Sequence, residues 1–200
     1  MESQGGGTVL LARGDIARDM GLPVLGVVAY AQSFADGAHT SIPAPGLGAL
    51  AAAQGGEKSR LARALAALDV TADQVAVLSK HDTSTNANDP NESELHERIA
   101  DELGRERSNP LLVVSQKSLT GHAKGGAAAF QIIGLTQVLR SGIVPGNRSL
   151  DCVDPALAAH SRLVWPTKAV NFGNTLPLKA GFVTSVSYTH LRAHETLRYL

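Results

Sequence analysis

The sequence predicts a layered α/β fold, and three observations carry that expectation. Near-continuous apolar runs alternate with segments of helical period, which is the rhythm of strands and helices packed in layers. The runs lack polar alternation, as strands buried on both faces do. With 200 residues, 44% hydrophobic and 18% charged, the chain is long and apolar enough for one domain with a sizeable core. In chain order, a Gly-rich stretch leads to the short apolar run Thr8 to Leu11, closed by Arg13-Gly14-Asp15. Leu22 to Tyr30 then reads as a buried strand, and residues 33–56 as a Gly/Pro/Ala-rich loop. Over a dozen unpatterned residues inside a domain point to function or to a missing neighbour.

From Lys58 the period turns helical, with Leu61, Leu65 and Leu68 on one stripe and an end near Asp69. Asp73 to Ser79 reads as a strand, followed by the polar loop Lys80 to Asn88. The next helix has Asp89 as its cap, Pro90 in the first turn and Glu92 three residues after the cap. Leu95, Ile99 and Leu103 form its buried stripe and Gly104 its stop. Pro110 to Ser115 is another buried strand, Gln116 to Thr120 a loop, and Gly121 to Ser141 a long central helix. Past Pro145 the chain becomes loop-rich, and Leu178 to Val186 is the last strand.

Eighteen Lys and Arg against eighteen Asp and Glu leave zero formal net charge, so bulk charge recruits no nucleic acid and no anionic membrane. The lone Cys152 excludes an internal disulfide framework and a multi-cysteine metal site. No apolar run reaches the roughly 18 residues that span a bilayer, and residues 2–7 do not form a signal peptide. A soluble cytoplasmic protein is the expectation.

Two loops each follow a predicted strand and open a helix, where ligand sites gather in open α/β sheets. The first is Lys80-His81-Asp82-Thr83-Ser84-Thr85, with Asp89 and Glu92 beyond it. The second runs from Ser115 through Lys117 and His122 to Gly126. Taken singly, each feature has a plain reading. Any one loop histidine is usually surface or hydrogen-bonded, and His39, His96 and His160 stay under that reading. Asp82-Thr-Ser is similar to an aspartic-protease triplet but has no partner carboxylate. Gly121-x-x-Lys124-Gly-Gly could cradle phosphate on free N–H groups, yet its spacing is not that of a nucleotide loop. No ligand spacing supports a metal at His81 and His122.

Together the two loops resemble the active site of β-ketoacyl synthases, the condensing enzymes of the thiolase fold. Thirty-six residues separate His81 from Lys117, five separate Lys117 from His122, and Glu92 lies eleven after His81. The resemblance is closest to the ketosynthase domain of actinobacterial type I fatty acid synthases, in segments 29–46, 79–92 and 115–131. Asp82 stands where stand-alone synthases usually carry Gly. The likeness covers residues 2–186 and implies a layered α/β/α thiolase-like fold, present only in its C-terminal part.

It implies decarboxylating Claisen condensation, with His81 and His122 donating through Nε2 to an enolate oxygen and an acylated cysteine as electrophile. Lys117 would sit beside the histidines and Glu92, and Thr83 and Thr85 would hydrogen-bond the pantetheine amides of carrier-bound substrate. Those hydroxyls could equally hold a tight loop. No cofactor is implied for this segment, because substrates arrive on the phosphopantetheine of an acyl carrier protein. Expected partners are that carrier domain, the preceding half of the ketosynthase, and further copies of the parent synthase. Cys152, placed after both histidines and between Asp151 and Asp154, is not the nucleophile. Residues 187–200 read as a non-native tail, which sets His190 and His194 aside. A polyketide or stand-alone ketosynthase is the rival enzyme reading. A non-catalytic carrier-docking or dimerisation module is the rival outside catalysis.

Overall fold

The structure, a computed structural model, describes residues 2–34, 46–173 and 178–185. Histidines 39, 190 and 194, the tail 187–200 and most of segment 29–46 lie outside those residues. At the centre is a four-stranded parallel sheet of β1 (Val75–Ser79), β2 (Leu111–Val114), β4 (Leu163–Val164) and β6 (Ala180–Val183), ordered β4-β2-β1-β6. A separate antiparallel pair joins β3 (Ile143–Val144) to β5 (Val170–Asn171).

The valine-rich runs become the inner strands because both of their faces are covered. Val75, Val77 and Leu78 of β1 and Val113 of β2 are no more than 1% exposed. Burying each such side chain contributes roughly 1.5–3 kcal/mol. Leu78 and Val113 pack with Leu65 of α3 (Arg60–Ala66), while Val77 and Val114 pack with Val138 of α6 (Ala127–Ser141). A register shift between Val75 and Val77 sends Val75 to the α3 side as well. On that side, Leu95 and Ile99 of α4 (Asn88–Glu102) pack with Leu50 and Leu61, and Phe182 of β6 joins them to the sheet. Helix, sheet and helix thus form the expected α/β layers.

Several elements differ from the sequence reading. Leu22 to Tyr30 forms no strand, and Val24, Leu25, Val27 and Val28 are all at least half exposed. A valine-rich run becomes a strand only where neighbouring strands take its amide and carbonyl groups. This run has no strand partner among the described residues. Gly14–Asp19 forms a short helix, α1, and within the expected loop 33–56 the alanine-rich segment forms α2 (Leu47–Ala53). Gln116 to Thr120 is a short helix, α5. Helix α6 begins only at Ala127, after a 3-10 turn over Lys124–Gly126, and buries only Ala127, Gln131 and Val138.

Asp89 does not cap α4. The Thr85 hydroxyl does so, accepting from Asn88 N at 3.2 Å, while Asp89 Oδ1 accepts from Thr83 N at 3.0 Å. The opening glycines acquire a role as well. Glu2 bridges His122 in parallel, and an added Cβ at Gly126 would stand 2.5 Å from the Gly5 carbonyl oxygen. Only residues without side chains let these two backbones meet.

Candidate active site

In a parallel sheet every carboxyl end lies at one edge, and three adjacent strands here deliver polar residues to that edge. Lys80 and His81 follow β1, Ser115 follows β2 and Thr184 follows β6. Gln131 ties the edge together from α6. Its Nε2 donates to the carbonyls of Ser79 (3.0 Å), Lys80 (2.9 Å) and Thr184 (2.9 Å).

His81 is held at its backbone and its ring. Its N–H donates to Glu92 Oε1 at 2.8 Å, and Asp82 N donates to Glu92 Oε2 at 3.0 Å. Lys117 Nζ donates to the His81 carbonyl and lies 3.1 Å from Nδ1 of the ring. The His81 and His122 rings meet edge to face, with centroids 5.4 Å apart and planes at 86°. Gly121, at φ 71°, makes the turn that brings His122 there. Nδ1 of His122 accepts from Lys124 N at 3.1 Å.

These contacts fix the tautomers. A neutral imidazole carries one hydrogen, and in both rings Nδ1 faces a donor, so the hydrogen sits on Nε2. Burial, followed by the Lys117 charge, pushes His81 down to about 4. Burial and the charges of Lys117 and Lys124 also lower His122. His81 is therefore neutral at pH 7, and His122 is biased toward the neutral form. Burial lowers the Lys117 ammonium too, against the pull of Glu92, Asp82 and Asp89, and either form of its Nζ can donate.

Glu92 is 4% exposed. Burial alone would raise its carboxyl, but the neighbouring His96, the Lys80 charge and the Thr184 hydroxyl outweigh it, and the group stays ionised. Thr184 Oγ1 donates to Oε1 at 2.7 Å and meets His96 Nε2 at 3.1 Å. Asp82, at φ 27°, turns its carboxylate inward to Lys80 Nζ at 2.8 Å. Lys80 has no exposed surface; its Nζ also donates to Ser93 Oγ at 2.8 Å and lies 5.3 Å from the Trp165 ring centre. Burial pushes the Asp82 carboxyl up, and Lys80 opposes it.

His81, His122, Lys117 and Glu92 therefore converge. Thr83 and Thr85 stand beside them as a hydroxyl pair 3.1 Å apart, with Thr85 also serving the α4 N-terminus. Cys152 lies apart on the surface, its Sγ directed at Val153 O. His96 fits the expectation of a hydrogen-bonded histidine: it is buried against Thr184 behind Glu92. The sequence motifs do not single out Gln131, Thr184 or the Lys80–Asp82 pair. Gln131 was the most findable, as a single amide inside the apolar stretch Ala127 to Leu135.

Comparison with known proteins agrees with this architecture. Residues 25–151 match the family of the β-ketoacyl synthase C-terminal domain. The chain is 45% identical over 172 residues to the fatty acid synthase alpha subunit stcJ of Emericella nidulans, covering 85% of this chain and 11% of that protein. It is 40% identical over 188 residues to fatty acid synthase 2 of Mycosarcoma maydis, covering 94% of this chain and 5% of that one. The chain thus spans about a tenth or less of these curated relatives. Among solved structures, the noncanonical ketosynthase FabY from P. aeruginosa superposes with a TM-score of 0.70 at 26% identity, over 86% of this chain and 25% of that one. The oxazolomycin ketosynthase domain OzmH KS7 from Streptomyces albus JA3453 shares the fold, with a TM-score of 0.65 at 20% identity over 80% of this chain and 26% of that one. With the family model matching well over half of its residues, this thiolase-like α/β chain belongs to the β-ketoacyl synthase C-terminal domain family.

Proposed function

We propose that this chain supplies the two imidazole donors of a 3-oxoacyl-carrier-protein synthase within a type I fatty acid synthase. The observation that carries the reading is the pair of rings 5.4 Å apart, each with Nδ1 engaged by a donor and its hydrogen therefore on Nε2. A malonyl thioester losing carbon dioxide leaves an enolate whose oxygen carries the developing charge, and two fixed neutral donors stabilise it. The enolate carbon then attacks an acyl-cysteine thioester. A carbon–carbon bond forms, the cysteine thiolate leaves, and the acyl chain is longer by two carbons.

In this reading the cysteine belongs to another segment of the synthase, and Cys152 takes no part. Lys117 and Glu92 hold the His81 loop, and Thr83 and Thr85 meet the pantetheine amides of substrate brought by an acyl carrier protein. The segment binds no cofactor of its own, and the parent synthase is a cytoplasmic homo-oligomer. The type I assignment is supported by fatty acid synthase relatives of far greater length than this chain. The actinobacterial subtype is supported by the segments 29–46, 79–92 and 115–131; the relatives reported above are fungal.

The test joins this chain to a cysteine-bearing ketosynthase segment and follows malonyl-thioester decarboxylation. His122→Ala should slow it on the order of a hundredfold, the usual effect of losing one such donor. A rate within a factor of about two of the unsubstituted protein would overturn the assignment.

A further inference from the structure

Two loops must keep a fixed separation for Lys117 to stay on the His81 ring, and one side-chain bond spans them directly. Ser115 Oγ donates to Asp82 Oδ2 at 2.5 Å. Both ends are anchored without reference to each other. On the β2 side, Ser115 N donates to Asn147 Oδ1 at 2.7 Å, and Asn147 Nδ2 donates to the carbonyls of Val113 and Pro166 at 3.0 and 3.1 Å. On the β1 side, Glu92 holds the Asp82 amide, and the buried Lys80 holds the other carboxylate oxygen at 2.8 Å. Asp82 keeps a φ of 27°, which a side-chain-bearing residue adopts only when its surroundings over-determine it.

Resting on the reading of His81 as an Nε2 donor, we propose that Ser115 and Asp82 are positioning residues, a latch between the two loops that keeps Lys117 on Nδ1 and His81 in one tautomer. The latch touches no reacting atom. Ser115 lies two residues before Lys117, and Asp82 directly follows His81, so the bond between them sets the approach of Nζ to the ring. Without it, Lys117 and the His81–His122 ring contact are left to hold the loops together, and Nδ1 loses a constant donor.

The test is nitrogen NMR of the imidazoles in the full chain labelled at histidine, which reads the tautomer without any activity assay. The unsubstituted chain should show separate protonated Nε2 and acceptor-type Nδ1 signals for His81. Ser115→Ala should shift the two toward each other, as in an exchanging mixture, while circular dichroism and the His122 signals persist. Ser115→Thr, which restores the hydroxyl, should recover the separation. Ser118→Ala removes a hydroxyl of the same segment that accepts instead from Arg148 N, and should leave His81 unmoved. Unchanged His81 signals in folded Ser115→Ala would overturn the latch. So would averaged signals in the unsubstituted chain, or an equal response to Ser118→Ala. If His122→Ala slows decarboxylation as expected while Ser115→Ala leaves the tautomer alone, the latch fails and the donor reading survives. The reverse result separates them in the other direction.

Discussion

Replacing Glu92 by Gln removes one charge and should loosen the backbone that carries His81. The carboxylate accepts from His81 N at 2.8 Å, Asp82 N at 3.0 Å and Thr184 Oγ1 at 2.7 Å. An amide can keep its oxygen toward His81 and Thr184, which then turns its NH2 toward the Asp82 amide. A buried N–H left without an acceptor costs roughly 1–3 kcal/mol, and losing the charge weakens the remaining bonds further. The expected loss is about 2–4 kcal/mol. Proton linkage provides a second route to the same quantity. A carboxyl held at about 2 in the folded chain against 4.5 ordinarily corresponds to about 3–4 kcal/mol, at about 1.4 kcal/mol per unit.

Urea unfolding of both proteins from pH 7 down to pH 3 checks both numbers. The sign follows from a lowered carboxyl: its stabilisation is complete above pH 4.5 and is lost as pH falls toward 2. Asp82, whose carboxyl burial raises, contributes in the opposite direction. The informative curve is therefore the difference between the two proteins, in which unaltered groups largely cancel. It should be flat near neutral pH and shrink below pH 4.5. A difference under about 0.5 kcal/mol at pH 7, or one that does not shrink in acid, would refute the reasoning.

Lys80→Met strands the Asp82 carboxylate in the interior and should cost about 3–5 kcal/mol in urea unfolding. Lys80→Met/Asp82→Gly removes both charges and relieves the positive φ, so it should recover most of that loss. Gly126→Ala drives a methyl to 2.5 Å from the Gly5 carbonyl oxygen and should lower stability by about 1–3 kcal/mol, with proton exchange rising in residues 2–7. In an NMR titration His81 should stay neutral down to about pH 4, and Lys117→Met should raise that midpoint because the Lys117 charge helps hold it down. Since burial favours the neutral ring, His81 also makes the folded chain less stable as pH falls from 6.5 toward 4.

The sheet was legible where a run had both faces covered. The expected strands Asp73 to Ser79 and Pro110 to Ser115 contain β1 and β2, because runs dominated by valine and leucine allow little else in a layered fold. The same logic misread Leu22 to Tyr30, since period and composition say nothing about whether neighbouring strands exist to pair with. Helix α2 was hidden by glycine on both sides, although its alanines are strong helix formers. In the site, His81, Lys117, His122 and Glu92 stand out through the resemblance to β-ketoacyl synthases, whose intervals they match, and not through spacing alone. Thr184 does not, because it reaches Glu92 from 92 positions away in sequence and from just after β6, and His96, one turn after Glu92 on α4, has a spacing shared by any helical pair. Asp89 was read as a cap from its position before Pro90. The Thr85 hydroxyl reached Asn88 N first, leaving the Asp89 carboxylate to brace Thr83.

The arrangement explains why a carboxylate, rather than a third imidazole, stands behind the pair. Donors to a developing oxyanion act best when neutral and already aimed, since reorienting them during the reaction spends the stabilisation they provide. Proton-donating neighbours at both Nδ1 atoms fix which nitrogen carries hydrogen. A carboxylate placed at the rings would instead draw a proton onto them and raise their basicity. Glu92 sits at the His81 and Asp82 amides, where it fixes the loop through main-chain donors. Lysine contacts the ring itself, and its positive charge opposes imidazolium formation. Exchanging those two charges would leave the His81 and Asp82 amides without an acceptor and the His81 carbonyl without its donor, and would reverse the protonation state that the proposed donor role requires.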